Sequence, residues 1–361
     1  MEKMNLTFPK RAYFAAANSG YGFYSFYEEI FGGKDIVERF ILKGGPGTGK
    51  SRFMKDIAYR AESLGYESEI FYCSSDPTSL DGIIVDVAGK GKICVIDGTA
   101  PHVCEATLPG ARDHIINLGD FWRSSILKNE KERIRSIGRE KYSAYLRAEE
   151  ALRSILLLFG ESEKDSHDLI REEKLRHTAE RFIAGVDADD EYYEKIGLRS
   201  SFGMFGACVL DTYSSLCDDL VVIDDSLGVA DAFLSALLSL AREYKVSTVR
   251  SYQYLDPHKL DALYIPSLSL SFVASASSVC ATEEKCRKKI NMQRFLDTDA
   301  VKRIRSDIRS SSAAVKELKS KAESEMEKMR KAHFALEDIY ISAMDFDKKE
   351  AFCNLWIEEN L

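Results

Sequence analysis

Eight consecutive residues, Gly44-Gly45-Pro46-Gly47-Thr48-Gly49-Lys50-Ser51, satisfy the pattern G-x-x-x-x-G-K-[ST] at every fixed position. The chemistry that such a run serves is the holding of phosphate. Glycines let successive backbone N–H groups turn toward one anion with no Cβ in the way. A helix opening at Lys50 points the positive end of its dipole at the same anion. Lys50 would reach the outer phosphates of a nucleotide, and the Ser51 hydroxyl would ligate Mg2+. The spacing therefore predicts a Mg-ATP site bound by Gly44, Gly45, Pro46, Gly47, Thr48, Gly49, Lys50 and Ser51.

Such a site needs a carboxylate at the end of an apolar strand. Asp97 follows Ile93-Cys94-Val95-Ile96, and Asp224-Asp225 follow Leu220-Val221-Val222-Ile223. Asp97 is the expected partner of Ser51 on the metal. The loop Asp97-Gly98-Thr99-Ala100-Pro101-His102 adds Thr99 and His102 as groups that could position water or an acceptor. The expected catalytic set is Lys50, Asp97 and His102, with a satisfied loop histidine as the plainer reading of His102. Arg112 and Arg123 are candidates for a cation at the γ-phosphate. Asp76-Pro77 reads as ordinary capping chemistry at the start of a helix, with a catalytic base as the alternative reading of Asp76. Cys73, Cys94 and Cys104 fit no familiar ligand spacing, and no CxxC pair occurs among the eight cysteines.

These groups need elements to position them. Phe40-Ile41-Leu42 reads as a buried strand, and Phe53, Met54, Ile57, Ala58, Ala61 and Leu64 keep helical spacing up to Gly65. Ile70–Cys73 and Ile93–Ile96 read as further strands, which predicts a parallel sheet with crossover helices. Long charged helices run from about Phe121 to Phe182, with a seam at Tyr145, Ala148, Leu152, Ile155 and Phe159. Strand texture returns at Leu220–Ile223 and Leu268–Val273. A second seam follows at Val301, Ile304, Ile308, Val315, Leu318, Ala322, Met329, Ala332, Leu336, Ile339 and Ala343, interrupted at Ser311 and Glu325.

The order α/β, helical, α/β, helical suggests a duplication. A gap-free shift faces Asp76-Pro77-Thr78-Ser79-Leu80-Asp81 with Asp256-Pro257-His258-Lys259-Leu260-Asp261, and Phe53 with Phe233. Upstream, Arg11-x-x-Phe14 is matched to Arg199-x-x-Phe202. In this alignment Gly44 becomes Asp224, Gly49 becomes Val229, Lys50 becomes Ala230 and Ser51 becomes Asp231; with a three-residue deletion further on, Asp97 faces Ala274. Carboxylates repel phosphate, so the second half is expected to hold no nucleotide. Because Asp224 then occupies a loop slot, Asp97 remains the metal-side carboxylate.

The 361 residues are 45% apolar and 30% charged with a net charge of −8, so global disorder is excluded and a nucleic-acid coat is disfavoured. The basic residues Lys285, Arg287, Lys288, Lys289 and Arg294, and those of 302–331, lie largely among acids on solvated helix faces. No apolar run is long enough for a membrane span and no secretory segment is evident; scattered thiols suit a reduced, cytoplasmic setting.

Lys43 to Ser51, the Asp76-Pro77 turn, Asp97 to His102, and Ala343-Met344-Asp345-Phe346 together resemble a family of uncharacterised bacterial ATP-binding proteins with two tandem P-loop NTPase-like halves. The resemblance implies ATP binding and ATPase activity over most of the chain. The expected architecture is a duplicated α/β fold of P-loop type. Residues 1–198 form the intact half, with a helical appendage at about 120–185. Residues 199–361 form a degenerate half, with an appendage at about 282–345. The expected function is Mg-ATP binding with slow hydrolysis at one site, the helices relaying nucleotide state to a protein partner, a second copy or the other half. A kinase for a small acceptor and a non-hydrolysing, nucleotide-gated scaffold are the alternatives.

Overall fold

The computed structural model describes residue 9 and residues 11–167, 169–275 and 286–361. Three short strands, β1 (Ala12–Phe14), β2 (Ala16–Ser19) and β3 (Gly22–Ser25), lead into helix α1 (Tyr27–Phe31). The first large unit continues through β4 (Ile36–Lys43), α2 (Lys50–Ser63), β5 (Glu67–Tyr72), β6 (Leu80–Val87), β7 (Gly91–Asp97) and β8 (Asp113–Asn117). Helices α3 (Ser124–Asn129), α4 (Lys131–His167) and α5 (Glu172–Ile183) follow. The plan then repeats with β9 (Glu194–Ile196), β10 (Ser200–Gly203), β11 (Gly206–Val209), α6 (Thr212–Leu216), β12 (Asp219–Asp224) and α7 (Ala230–Tyr244). It closes with β13 (Thr248–Tyr252), β14 (Leu260–Ile265), β15 (Leu270–Ser275), β16 (Cys286–Asn291), α8 (Thr298–Ser342) and α9 (Phe346–Asn360).

The two six-stranded sheets share one order, β1-β5-β6-β7-β4-β8 and β9-β13-β14-β15-β12-β16. In each, the strand before the central helix pairs in parallel with both neighbours. The sheets are mixed rather than parallel, because β6 and β14 run antiparallel to the strands beside them. The cause is local. Asp76 does not open a helix; its carboxylate accepts from the Thr78 N–H at 3.0 Å and from the hydroxyls of Thr78 and Ser79. That turn reverses the chain from β5 into β6.

Side chains alternate across the strands as a sheet covered on both faces requires. Phe40 and Leu42 join Phe53, Met54 and Ile57 of α2 in an outer core, while Ile41 faces inward. Val221 and Ile223 likewise join Phe233 and Leu237 of α7, while Leu220 and Val222 share the inner core with Ile41, Ile96 and Phe71. The sheets thus face each other across a common inner layer.

The halves meet through reciprocal backbone bonds. The Phe14 N–H donates to Leu198 O at 2.8 Å, and the Leu198 N–H donates to Phe14 O at 3.0 Å. Gly20 N–H to Leu255 O is mirrored by Met204 N–H to Ser75 O. This pairing equates Phe14 with Leu198 and Ala15 with Arg199, correcting the match of Arg11 and Phe14 to Arg199 and Phe202. The turns Ser19↔Gly22 and Gly203↔Gly206 agree with that register.

The helices following each appendage cross over. α5 lays Leu175, Ala179 and Ile183 on the second sheet beside α7. α9 lays Cys353, Trp356 and Ile357 on the first sheet beside α2. Matching backbone bonds fix where each helix begins: Asp345 N–H to Phe121 O at 2.9 Å before α9, and Arg171 N–H to Phe295 O at 2.8 Å before α5. Between them, α4 and α8 pack along Ala148, Leu152, Ile155, Ala322 and Met329. Glu325 interrupts that seam as an ion pair with Arg147 at 2.7 Å. The start of the α8 seam, Val301, Ile304 and Ile308, joins the core of the second sheet instead of α4. Among the described residues no helix is long and apolar enough to cross a membrane.

Trp356 stands edge-on to Phe40 at 4.7 Å and to Phe53 at 5.3 Å. Trp356→Ala is expected to lower unfolding free energy by about 3–5 kcal/mol in urea titrations. Its exposed neighbour Leu355, changed to Ala, is expected to cost less than about 0.5 kcal/mol. Equal losses would contradict the crossover of α9.

Candidate functional site

The Gly-rich loop joins β4 to α2 at the edge of the sheet where β4, β5 and β7 end. Gly44, Gly47 and Gly49 take positive φ angles of 148°, 70° and 83°. A Cβ on Gly47 would sit 2.9 Å from Glu337 O, so α8 rests directly on the loop. Gly49 caps α2 without a side-chain hydrogen bond, so its capping leaves the first N–H groups of the helix open to a ligand.

Lys50 Nζ donates to Gly44 O at 2.7 Å and Gly45 O at 2.9 Å, and stands 3.6 Å from Asp97 Oδ2. Asp97 Oδ1 accepts from the Thr99 N–H at 2.9 Å and its hydroxyl at 2.5 Å, leaving Oδ2 toward the loop. Ser51 Oγ accepts from the Leu80 N–H at 3.0 Å. The loop residues 44–51, Asp97, Thr99 and His102 all line one cavity of about 1030 Å³.

His102 sits deeper than a mobile loop base would. It is buried, its Nε2 is 3.1 Å from Asp81 Oδ2, and its ring stacks on Tyr27 at 5.2 Å. Thr99 steers Asp97 rather than standing free. Arg112 binds Asp113 at 2.8 Å, and Arg123 donates to Ser342 O and Met344 O; neither lines the cavity. Of the cysteine trio, Cys73 lies beside Asp81 and His102 while Cys94 is buried in the sheet. The basic stretch is engaged locally: Arg287 pairs with Asp219, and Lys288 lies over Phe182. Lys285 and Cys280 fall outside the described residues.

Several cavity groups are not evident from the sequence. Lys141 of α4 and His333 and Glu337 of α8 reach in from the long helices. Lys141 Nζ lies 3.0 Å from His333 Nδ1. Burial, with Lys141 beside it, lowers His333 to about 4, so its ring is neutral and accepts from the ammonium. Burial and Asp76 raise Glu337, although the Gly47 N–H faces its carboxylate. Burial pushes Asp81 up to about 6, with the Asp97 charge adding to it. The signals that could have found them are the i, i+4 spacing of His333 and Glu337, and the repetition of Asp81 as Asp261.

The second half shows the same loop self-filled. Ladder register equates Leu42 with Ile223 and Asp97 with Ala274. Hence Lys43, not Gly44, corresponds to Asp224, because the second loop is shorter. Asp225 then turns its carboxylate into the amides at the head of α7, accepting from Ala230 N–H at 2.7 Å and from Val229 N–H. Asp231 takes the role of Ser51, accepting from the Leu260 N–H at 2.7 Å.

Burial raises Asp225 from 3.8 to about 6. Its stabilising contribution is complete below pH 3.8 and is lost as pH rises through about 6. From about pH 4 to 7, Asp225→Asn should therefore gain roughly 2–3 kcal/mol relative to the wild type in denaturant titrations. A pH-independent difference would contradict this. Compared with protein-family models, curated proteins and solved structures, the chain matches none.

Proposed function

We propose that the Gly44–Ser51 loop binds Mg-ATP and that the first half hydrolyses it slowly. The observation that carries this reading is the combination at the head of α2. Positive-φ glycines shape the loop, Lys50 and Ser51 open the helix, and Asp97 Oδ2 faces Lys50. Lys50 spans the loop carbonyls and would exchange them for phosphate oxygens, a stronger charge-assisted bond. Ser51 Oγ and the Asp97 carboxylate are oxygen donors that suit a hard cation. Bound there, Mg2+ supplies charge neutralisation on the phosphates.

The chain's own residues then respond to the polyanion. Lys141 is drawn toward it and Glu337 is repelled from it, and the two sit on different long helices. Differential contact of this kind is what couples a ligand to a shift between helices. The second half, with Asp225 in its own cradle, serves as a packed copy without a nucleotide.

The cavity lies at the upper end of the usual range for ligand sites, about 300–1,000 Å³, so a second reactant could share it. A kinase for a small acceptor is therefore the second reading. Phosphate release with no added acceptor supports the ATPase, and turnover only with an acceptor supports the kinase. Tight binding without turnover leaves a gated scaffold. Lys50→Ala is expected to weaken ATP binding at least tenfold in calorimetry. Asp97→Asn should raise the Mg2+ concentration needed for half-maximal turnover. Unchanged ATP affinity in Lys50→Ala would sink the assignment.

A further inference from the structure

We propose that Cys73, Asp81 and His102 form a site for a transition-metal dication of zinc type, its fourth coordination position open to the cavity. The three residues come from adjacent strand ends: Cys73 just past β5, Asp81 at the start of β6, His102 beyond β7. One ligand atom from each lies within 4.8 Å of the other two, and all three residues line the cavity. Zinc bonds of about 2.0–2.3 Å would set such atoms roughly 3.3–3.8 Å apart, a small adjustment from the 3.1 Å between Asp81 Oδ2 and His102 Nε2.

The ligand set selects the metal. A thiolate with an imidazole and a carboxylate suits Zn2+ and disfavours Mg2+, which prefers oxygen alone. Three protein ligands with an open position describe a catalytic rather than a structural zinc site. The imidazole is fixed in advance by stacking on Tyr27 and by the edge of Phe23 at 4.9 Å, while its Nδ1 has no hydrogen-bond partner among the described residues.

The duplicate half shows what is missing. Asp261, the counterpart of Asp81, is buried against Arg199, whose Nε donates at 3.1 Å. In the first half the position of Arg199 is Ala15, and the basic partner of Asp81 is an imidazole. One copy carries its positive charge in the chain; the other has ligands in its place. A thiol nucleophile is the poorer reading, since Cys73 adjoins the carboxylate and burial pushes its thiol up.

The test uses the full chain, stripped with a chelator and titrated with Co2+. Wild type and Lys50→Ala should both bind one equivalent with intense visible bands and a thiolate-to-cobalt charge-transfer band. Cys73→Ser should lose the charge-transfer band, and His102→Gln should weaken binding at least tenfold. No such band in the wild type, or one that survives Cys73→Ser, overturns the site. Because Lys50→Ala is expected to lose ATP and keep cobalt, failure of the nucleotide reading is separable from failure of this one.

Discussion

Each sheet has an outer face that its central helix covers only in part, and the helix that completes the cover arrives from beyond the other appendage. α2 brings Phe53, Met54 and Ile57 to the first sheet, but Phe40 also needs Trp356 of α9. α7 needs α5 in the same way. The long helices α4 and α8 carry the chain from one sheet to the other and make this exchange possible. Because α8 must cross to deliver α9, it lies over the Gly-rich loop and brings His333 and Glu337 to the cavity wall. The helical cover and the composition of the site thus have one origin.

A second constraint acts at the heads of α2 and α7, where backbone amides need an acceptor. The two halves solve it differently. At α7 the shortened loop supplies Asp225, which is buried and holds the amides itself. At α2 the glycines supply no side chain, and Glu337 faces Gly47 only from the neighbouring helix. The first solution is permanent and the second is exchangeable, a difference that the proposed nucleotide role requires.

Local structure is legible from the residues alone wherever a pattern and its structure lie in one segment. The Gly-rich turn at 44–51, the start of α2 at Lys50 and the buried cores of β4, β5 and β7 all fall in this class. Strand direction is not legible, because a hairpin closed by Asp76 and a helix capped by it share the same Asp-Pro signal. Lys141 and the crossing of α5 and α9 are hidden for another reason. Each depends on segments far apart in the chain, and a heptad seam does not say which face meets which partner. Asp81 is visible as a repeated identity, but its meaning comes only from comparing His102 and Arg199 as the partners of the two copies.

The crossover also has a temporal side. A chain emerging from the ribosome presents β1 to β8 and α2 early, yet the first sheet keeps Phe40 and Phe53 uncovered until Trp356 has been made. The second sheet has α5 waiting before its own strands appear. The half made first is therefore the half completed last, and during synthesis the outer apolar face of its sheet waits longest for its cover.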